Sequence, residues 1–562
     1  MTQLTIDQAM QLAVRNHQAG RLAEAEKIYR QVLVRQPNHP DALHMLGVIA
    51  QQAGRLDSAI ELIQQAITIK PGVADYHNNL GAAFFARGRF DEAISVLRAA
   101  IRLKPDLADA HYNLGNVLGE MGLFDEAISA LRRAIQLRHG YAEAYNNLGN
   151  LLRENGNLEE AAAALRQAIQ HKPDFAEAHN NLGNVLRDKG SYDEAIAAHS
   201  HALRLKPEYA DAYNNLGSAF AAAGRFDEAT ESLHRAIRLK PDFAEAHFNL
   251  AHILLLKGDF HRGWQEYEWR LRCANPRSKR REFIQPRWDG TALNGRTILL
   301  HAEQGLGDAI QFVRYASMVS ARGAAVIVEC QPELVRLFQT LSGVERVVAQ
   351  NQALPHFELH CPMLSLPLSF NTSPETVPVT VPYLKAAEDL SLAWATRLLP
   401  FGERKVGIVW AGSSVHKNDR NRSLSLSQFG PLARAGGITF HSLQKGDAAR
   451  QASAAPKGMK VIDHSEELGD FADTAALIAN LDLVIAADTA VAHLAGALGK
   501  PVWVLLPFVP DWRWMLDCPD SPWYPTMRLF RQKSFGDWAG VIEEVSRAFD
   551  AWNFREIPGS RE

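Results

Sequence analysis

LDLVIAADTAVAHLAGALGKP, running from Leu481 to Pro501, is the stretch whose reading decides the fold of the second half of this chain. Asp482 to Ala487 is a short apolar run of the kind that forms a strand buried on both faces, as in a parallel sheet. Only Asp488 and Thr489 separate it from a run of small residues with helical character, so the stretch reads as strand, tight turn, helix. A helix that begins there presents unpaired N–H groups and the positive end of its dipole. The Thr489 hydroxyl and His493, one turn in, can face the same anion, and a diphosphate fits that arrangement. Asp and Thr before an apolar run also serve as plain helix caps, so partners elsewhere in the chain decide between the two uses.

Working outward, an α/β series begins at Lys405. KVGIVWAG reads as a strand, LSQFGPLARAG as a helix, ITFHSLQ and KVIDH as strands, FADTAALIANL as a helix and PVWVLLP as the strand after the deciding stretch. An earlier series begins at Thr297: TILLHA as strand, DAIQFVRYASMVSARG as helix, AAVIVEC as strand and PELVRLFQTLSG as helix. Leu354 to Val381 is rich in proline and reads as irregular. The expected architecture is two Rossmann-like lobes, residues 297–400 and 401–553, with a tail over 554–562. Ligands of such pairs bind in the cleft outside the carboxyl ends of the strands.

Three groups of residues fall at that cleft. GLGD supplies Gly305, Gly307 and Asp308 between strand and helix. Asp308 is either a general base or a helix cap, and the physics of the sequence slightly favours the cap. Gly412 ends a strand and leads into SSVHKNDRNRSL, whose His416, Lys417, Arg420 and Arg422 form a cationic loop opposite Asp488, Thr489 and His493. Together they can clamp a diphosphate from two sides. No two aspartates between Asn275 and Glu562 are two residues apart, so the Asp-x-Asp arrangement that commonly holds a catalytic metal is absent. His356, Glu358 and His360 alternate along one face, where local packing is a better reading than metal ligation. Trp512, Trp514, Trp523, Tyr524 and Trp538 are read as packing between lobes ahead of stacking on a sugar or base.

The first half, residues 1–274, has a period of 34. Pro37, Pro71, Pro105, Pro173, Pro207 and Pro241 are in phase, as are Leu-Gly pairs from Leu46-Gly47 to Leu216-Gly217, glycines from Gly20 to Gly258 and alanines from Ala25 to Ala229. Each unit reads as two antiparallel helices, with proline starting the first, Leu-Gly admitting the second at close range and the in-phase glycine turning the chain. Eight units stack into an α-solenoid between Gln3 and Cys273, the last carrying Ala251 and Gly263 in exchanged places and ending in an aromatic helix, Trp264 to Trp269, that joins the next domain. Asn79, Asn113, Asn147, Asn181, Asn215 and Asn249 recur before the leucine of the first helix. They either line an inner groove, where an amide can grip a peptide backbone, or bond to neighbouring helices. Residues 275–296, with Arg277, Lys279, Arg280 and Arg281, read as a solvated linker.

Composition bounds the partners. Over 562 residues, 60 Lys and Arg nearly balance 63 Asp and Glu, which gives no field for nucleic acid or an anionic membrane. The chain opens without a basic, then apolar, leader, and no run approaches the ~20 apolar residues of a membrane span. Cys273, Cys330, Cys361 and Cys518 are scattered without metal or disulfide spacing. The expectation is a cytoplasmic protein with no transmembrane segment.

The period resembles that of tetratricopeptide repeats. Residues from Thr297 to Trp538 resemble glycosyltransferases of the two-lobed GT-B kind, and the lipopolysaccharide heptosyltransferases in particular, through GLGD, HKNDRNRS and ADTAVAHLAGALGKP. That resemblance implies Asp308 as general base, Arg422 or Lys417 on the donor phosphate, and Asp488, Thr489 and His493 around the nucleotide diphosphate. Ala490 stands where that family usually has glycine. Domain order and the asparagine row are similar to those of the O-linked N-acetylglucosamine transferases, which implies a protein or peptide in the repeat groove from the third repeat on. The implied reaction is inverting transfer from a nucleotide-sugar donor, with no cofactor and no metal. The alternative is a non-catalytic interaction scaffold with a degenerate transferase half.

Overall fold

The computed structural model describes residues 4–273, 281, 283–401, 404–414, 418–434, 437–516 and 518–553. The chain divides into two compact units, residues 1–219 and 220–562. That division falls upstream of residue 274, where the 34-residue period stops. Among the described residues, no helix is long and apolar enough to cross a membrane.

The first unit is an α-solenoid of helix pairs, from Ile6–Gln18 with Leu22–Arg35 through Ala176–Lys189 with Tyr192–Leu205. The in-phase alanines Ala25, Ala59, Ala93, Ala127, Ala161 and Ala195 are fully buried. The in-phase glycines turn the chain with positive φ, between 74° at Gly20 and 89° at Gly190. The Leu-Gly glycines set the helix spacing, because a Cβ on Gly115 would lie 2.7 Å from Leu131 Cγ and 3.2 Å from the Ala127 carbonyl oxygen. The in-phase prolines do not start helices as expected. Pro71 and Pro105 sit in the turn, three residues before Ala74–Ala86 and Ala108–Glu120 begin, where the ring stops the preceding helix. Their carbonyls are held from the next helix, His77 Nε2 lying 2.8 Å from Pro71 O and His111 Nε2 3.0 Å from Pro105 O.

A second ladder runs along the surface. Arg138, Lys172 and Lys206 reach back to Asp109, Glu143 and Glu177 at 2.9, 3.1 and 3.1 Å, and each lies over the ring of Tyr141, Phe175 or Tyr209. Being exposed, each ion pair contributes at most ~1 kcal/mol. The repeat also carries one flaw. Leu97, Leu131 and Leu165 occupy a position that His199 takes in the sixth unit, fully buried with Nε2 lacking a partner. Burial pushes its pKa down to about 3.

The second unit holds two parallel sheets. In the first lobe β1 (Thr297–His301), β2 (Ala325–Cys330), β3 (Arg346–Ala349) and β4 (Leu359–Pro362) lie in the order β3-β2-β1-β4. In the second, β5 (Arg404–Val409), β6 (Ile438–Ser442), β7 (Val461–Asp463), β8 (Leu483–Ala487), β9 (Val502–Leu506) and β10 (Met527–Arg531) lie in the order β10-β9-β8-β5-β6-β7. The α-solenoid followed by two α/β lobes is therefore the architecture expected from the sequence. Ala486 and Ala487 end β8 with no exposed surface, as a strand covered on both faces requires.

Several elements differ from the sequence reading. The helix expected after GLGD is broken into Leu306–Phe312 and Tyr315–Ala321, because buried Arg314 bonds the carbonyls of Gln311, Pro378 and Trp523. LSQFGPLARAG forms 3₁₀ turns over Leu426–Arg434, with Pro431 inside, in place of an α-helix. PELVRLFQTLSG is reduced to short turns ending in Val335–Phe338. β3 and β4, of four residues each, and β4's place in the proline-rich segment, were too brief for any period to register. β10 and helix Trp538–Asn553 lie beyond the expected elements. Trp512, Trp514, Trp523 and Tyr524 are buried in a cluster that holds residues of both lobes, as the packing reading has it, whereas Trp538 is buried in the core of the second lobe alone.

The helices of the last repeat belong to the core of the second unit. Trp264, on helix Phe260–Tyr267, donates Nε1–H to Thr372 O at 3.0 Å and meets Trp512 edge to face at 5.2 Å. The exchange of Ala251 and Gly263 has a steric reason: a Cβ on Gly263 would lie 2.6 Å from Leu255 Cδ2, so the close approach is kept with its glycine moved to the second helix.

Two substitutions test the solenoid. Gly115→Ala should lower stability by about 1–3 kcal/mol in thermal or urea unfolding, through overpacking against Leu131 and Ala127. His199→Leu should raise it by about 1–2 kcal/mol, since the orphan nitrogen goes while Asn180 Oδ1 keeps its bond from Asn215, 3.1 Å away. The gain should widen as pH falls from 6.5 toward 3, where the unfolded imidazole is protonated and the buried one is not.

Candidate active site

Strand order reverses between β1 and β4 in the first lobe and between β5 and β8 in the second. Those are the points at which open parallel sheets bind ligands, outside the carboxyl ends of the strands. Gly305 to Asp308 follow β1, Gly412 follows β5, and Asp488 with Thr489 follow β8. The first and the last meet directly: helix Leu306–Phe312 packs on helix Ala490–Ala497, and a Cβ on Gly307 would lie 3.1 Å from His493 Cδ2 and 3.4 Å from Ala490 Cα.

Asp308 does two things at once. Its Oδ2 accepts the Gly305 N–H at 2.8 Å, closing the first turn of its helix. Its Oδ1 accepts Nη2–H from Arg513, which comes from the loop after β9. Arg513 also donates from Nε to Gln311 Oε1 at 2.6 Å and from Nη1 to Asp511 Oδ1 at 2.8 Å. Burial works against the guanidinium charge, but the carboxylates of Asp511 and Asp308 outweigh it and hold Arg513 above its ordinary range. Asp511, which burial alone would raise, is brought below its usual value by Arg513. His252, on helix Ala244–Leu256 of the last repeat, feels all three of these charges, and burial keeps its pKa low.

On the other side, Arg422 bridges two loops, donating Nη1–H to the Asp488 carbonyl at 3.1 Å and lying 3.4 Å from Asp419 Oδ1. Gly412 makes room for it: a Cβ there would sit 2.5 Å from Arg422 Nη2 and 2.5 Å from Asp419 Oδ1. The Gly412 N–H donates to Ser423 Oγ at 2.9 Å, so the loop closes back on the strand end. Arg420 lies exposed on the short helix Asp419–Arg422. Lys417 and His416 lie outside the described residues, as do Arg277, Lys279 and Arg280 of the linker.

Thr489 is the N-cap of helix Ala490–Ala497, yet its hydroxyl makes no capping bond and has no partner among the described residues. The plain capping use of Thr is thus not the one realised here, whereas Asp308 does cap its helix. The carboxyl of Asp488 is raised to about 6 by burial and then by the charge on Asp511, against the pull of Trp514, Arg422 and Arg513. His493 is buried, its pKa pushed down to about 3 by burial. Its Nδ1 lies 3.1 Å from Tyr524 Oη and its ring stacks on Trp514 at 5.3 Å. It therefore stands as a neutral wall of the site.

The asparagine row is tied between repeats. Asn79 Nδ2 lies 2.9 Å from His44 Nε2, Asn113 donates to Asn78 at 2.9 Å, Asn181 to Asn146 at 2.9 Å and Asn215 to Asn180 at 3.1 Å. Asn147 donates to Tyr112 Oη and Asn116 at 3.1 and 2.9 Å. Each of these amides spends at least one of its two N–H groups on a neighbouring helix. Asn249 lies in the second unit and is also engaged. Of the remaining alternating residues, Glu358 accepts the Thr297 N–H at 3.0 Å and His360 lies 3.2 Å from His301, so they are packing elements of the first sheet.

Reading the sequence missed Arg513 and Asp511. The signal in the sequence is a charged pair inside DWRW, in the loop that follows the apolar strand β9, where the flanking tryptophans read as packing.

Fold and site together define a class: a tetratricopeptide-repeat solenoid followed by a two-lobed α/β domain with ligand-type switch points. Tetratricopeptide repeat models match residues 17–82, 82–122, 108–141, 130–163, 149–187, 183–224 and 217–258. The model described as glycosyltransferase family 9 (heptosyltransferase) matches residues 468–505, the segment that carries β8 and its helix. The chain is 28% identical over 319 residues to Protein FlbA of Caulobacter vibrioides, covering 53% of each, so it spans about half the length of that curated relative. Among solved structures it is similar to MamA (29% identity, 30% of this chain and 97% of that one, TM-score 0.28). It is also similar to YrrB, described as a tetratricopeptide protein with an unusual peptide-binding site (24% identity, 33% of this chain and 95% of that one, TM-score 0.29).

The raised Asp488 makes stability depend on pH. A carboxyl with a folded pKa above its unfolded value favours folding at low pH, and that contribution is lost as pH rises from 3.8 through about 6. Asp488→Asn should therefore gain on the wild type between pH 4 and pH 7, with its unfolding midpoint rising by a few degrees relative to wild type. A pH-independent difference between the two melting curves would remove the assignment.

Proposed function

We propose that this protein transfers a sugar from a nucleotide-sugar donor to a hydroxyl of a protein or glycan acceptor, with inversion at the anomeric carbon and without a metal. The observation that carries this reading is the convergence of three strand ends at two switch points, with Arg422 bridging the β5 and β8 loops and an unpartnered Thr489 hydroxyl at a helix N-terminus beside it. The family 9 match over the same segment supports it. In this reading Asp308 takes the proton from the acceptor hydroxyl, and the hydroxyl oxygen attacks the anomeric carbon. The bond from that carbon to the diphosphate breaks as the new one forms. The leaving diphosphate gathers its charge against Arg422, the Thr489 hydroxyl and the N–H groups of helix Ala490–Ala497. Gly305, Gly307 and Gly412 keep backbone close to the ligand, Arg420 adds cationic charge from its exposed position, and Lys417 of the same loop adds a further charge. Absence of an Asp-x-Asp pair is the support for metal independence. The repeat groove, beginning at the third unit, recruits the acceptor, and a cytoplasmic setting supplies the donor.

A second reading, an interaction scaffold whose transferase half no longer turns over, is favoured by one observation. His493 is committed to Tyr524 and Trp514, and Ala490, where the resembled family usually has glycine, is packed against Gly307.

Thermal unfolding across ADP, UDP, GDP, CMP and their sugar conjugates separates the two. One nucleotide at a hundred times its dissociation constant should stabilise the chain by about 2.7 kcal/mol. Arg422→Gln should weaken that binding tenfold or more, about 1.4 kcal/mol. No shift with any of the nucleotides would leave the scaffold reading in possession.

A further inference from the structure

We propose that Arg513 is the positioning residue for Asp308, holding its carboxylate toward the acceptor only while the two lobes and the last repeat are packed as one body. This inference rests on the glycosyltransferase reading above and adds a role that neither the strand-end geometry nor the family 9 segment, residues 468–505, assigns.

The geometry is that of a three-way clamp. Arg513 belongs to the second lobe, by way of the loop after β9, yet two of its three polar partners, Asp308 and Gln311, belong to the first-lobe helix Leu306–Phe312. Its third partner, Asp511, lies on its own loop and fixes the guanidinium plane from behind at 2.8 Å. The side chain is 8% exposed, so little water competes for these bonds. Below the guanidinium lies the Trp512 ring, with Arg513 Cζ 4.3 Å from its centroid. That ring is in turn wedged against Trp264 of the last repeat.

A planar guanidinium with a fixed fork of donors suits this task, because it can face two carboxylates and an amide at set angles while staying charged. Lysine offers one ammonium and no plane. The carboxylate of Asp308 has its Oδ2 committed to the Gly305 N–H. Rotation of that side chain is thus stopped at both oxygens, and acceptor approach finds the base already aimed. If Arg513 works through Asp308, its removal costs rate only where Asp308 is present to be aimed.

The experiment uses the full chain with Asp308→Asn, Arg513→Gln, Arg513→Lys and the double variant Asp308→Asn, Arg513→Gln. Turnover is read as release of UDP, ADP, GDP or CMP from the sugar conjugates with water as acceptor, and folding as the thermal unfolding midpoint. Arg513→Gln should slow release about a hundredfold in the wild-type background and about twofold or less in the Asp308→Asn background, with donor KM changed about twofold or less. Arg513→Lys should recover part of the rate, and it carries the test if Arg513→Gln does not fold. Equal losses in both backgrounds, or a loss confined to donor KM, would overturn the positioning role and make Arg513 an independent or a phosphate-contacting group. Wild-type rate in Asp308→Asn would overturn it by removing the base, while leaving sugar transfer intact. A wild-type chain that releases none of the four nucleotides and is stabilised by none would instead overturn the glycosyltransferase reading, and the role with it.

Discussion

Where Gly81, Gly115 and Gly149 face Leu97, Leu131 and Leu165, one added Cβ would come within 2.5–2.7 Å of a leucine Cγ. Helix pairs can close at that spacing only if one partner has no side chain, and the leucine then fills the space the Cβ would take. The same constraint operates in the second unit. Gly307 lets the GLGD helix lie on the helix that follows β8, and Gly263 lets the final repeat close after Ala251 has displaced the usual glycine. Glycine at helix crossings thus sets both the pitch of the solenoid and the meeting of the two lobes.

Close approach has an electrostatic consequence. Once the two helices meet at Gly307, four charged groups from three loops, Asp308, Asp488, Asp511 and Arg513, share a volume with little water. Carboxylates gathered in that way must be neutralised, protonated or removed. Two of them take Arg513 as partner, and in Asp488 burial and the Asp511 charge outweigh Trp514, Arg422 and Arg513, so its carboxyl moves up to about 6. The site's chemistry therefore follows from its packing. The His199 position in the solenoid illustrates the opposite case, a polar group buried by the repeat pattern with one nitrogen left over.

Most of the architecture was legible because it is periodic or local. Within the 34-residue spacing the turn glycine recurs eight times and the buried alanine seven, so each unit corroborates the others. The apolar run before Asp488 is long enough to read as a buried strand by itself. What could not be read was short or non-local. β3 and β4 have four residues each, too few to display a period. The break at Arg314 depends on carbonyls of Pro378 and Trp523, 64 and 209 residues away. The proline positions were right in phase and wrong in role, since a ring that suits the start of a helix also suits the turn before it.

For the site, residue types and strand ends were visible while their partners were not. Asp308, Gly412, Arg422 and Thr489 could be named because each follows a strand or opens a helix. Whether Asp308 is cap or base candidate could not be separated, and the structure has it capping Gly305 with one oxygen and facing Arg513 with the other. The asparagine row was visible as a row, but its inter-repeat bonds came only with the superhelix. By itself the sequence determined the repeat, the two α/β lobes and the strand-end positions of the candidate residues, because those depend on periodicity and on neighbours within a turn or two. Tertiary structure alone decided that Arg513 meets Asp308 across 205 residues, that His493 is walled in by Trp514 and Tyr524, and that the last repeat joins the core of the second unit. Those contacts depend on which surfaces meet when the lobes close, and no local pattern in the chain encodes that distance.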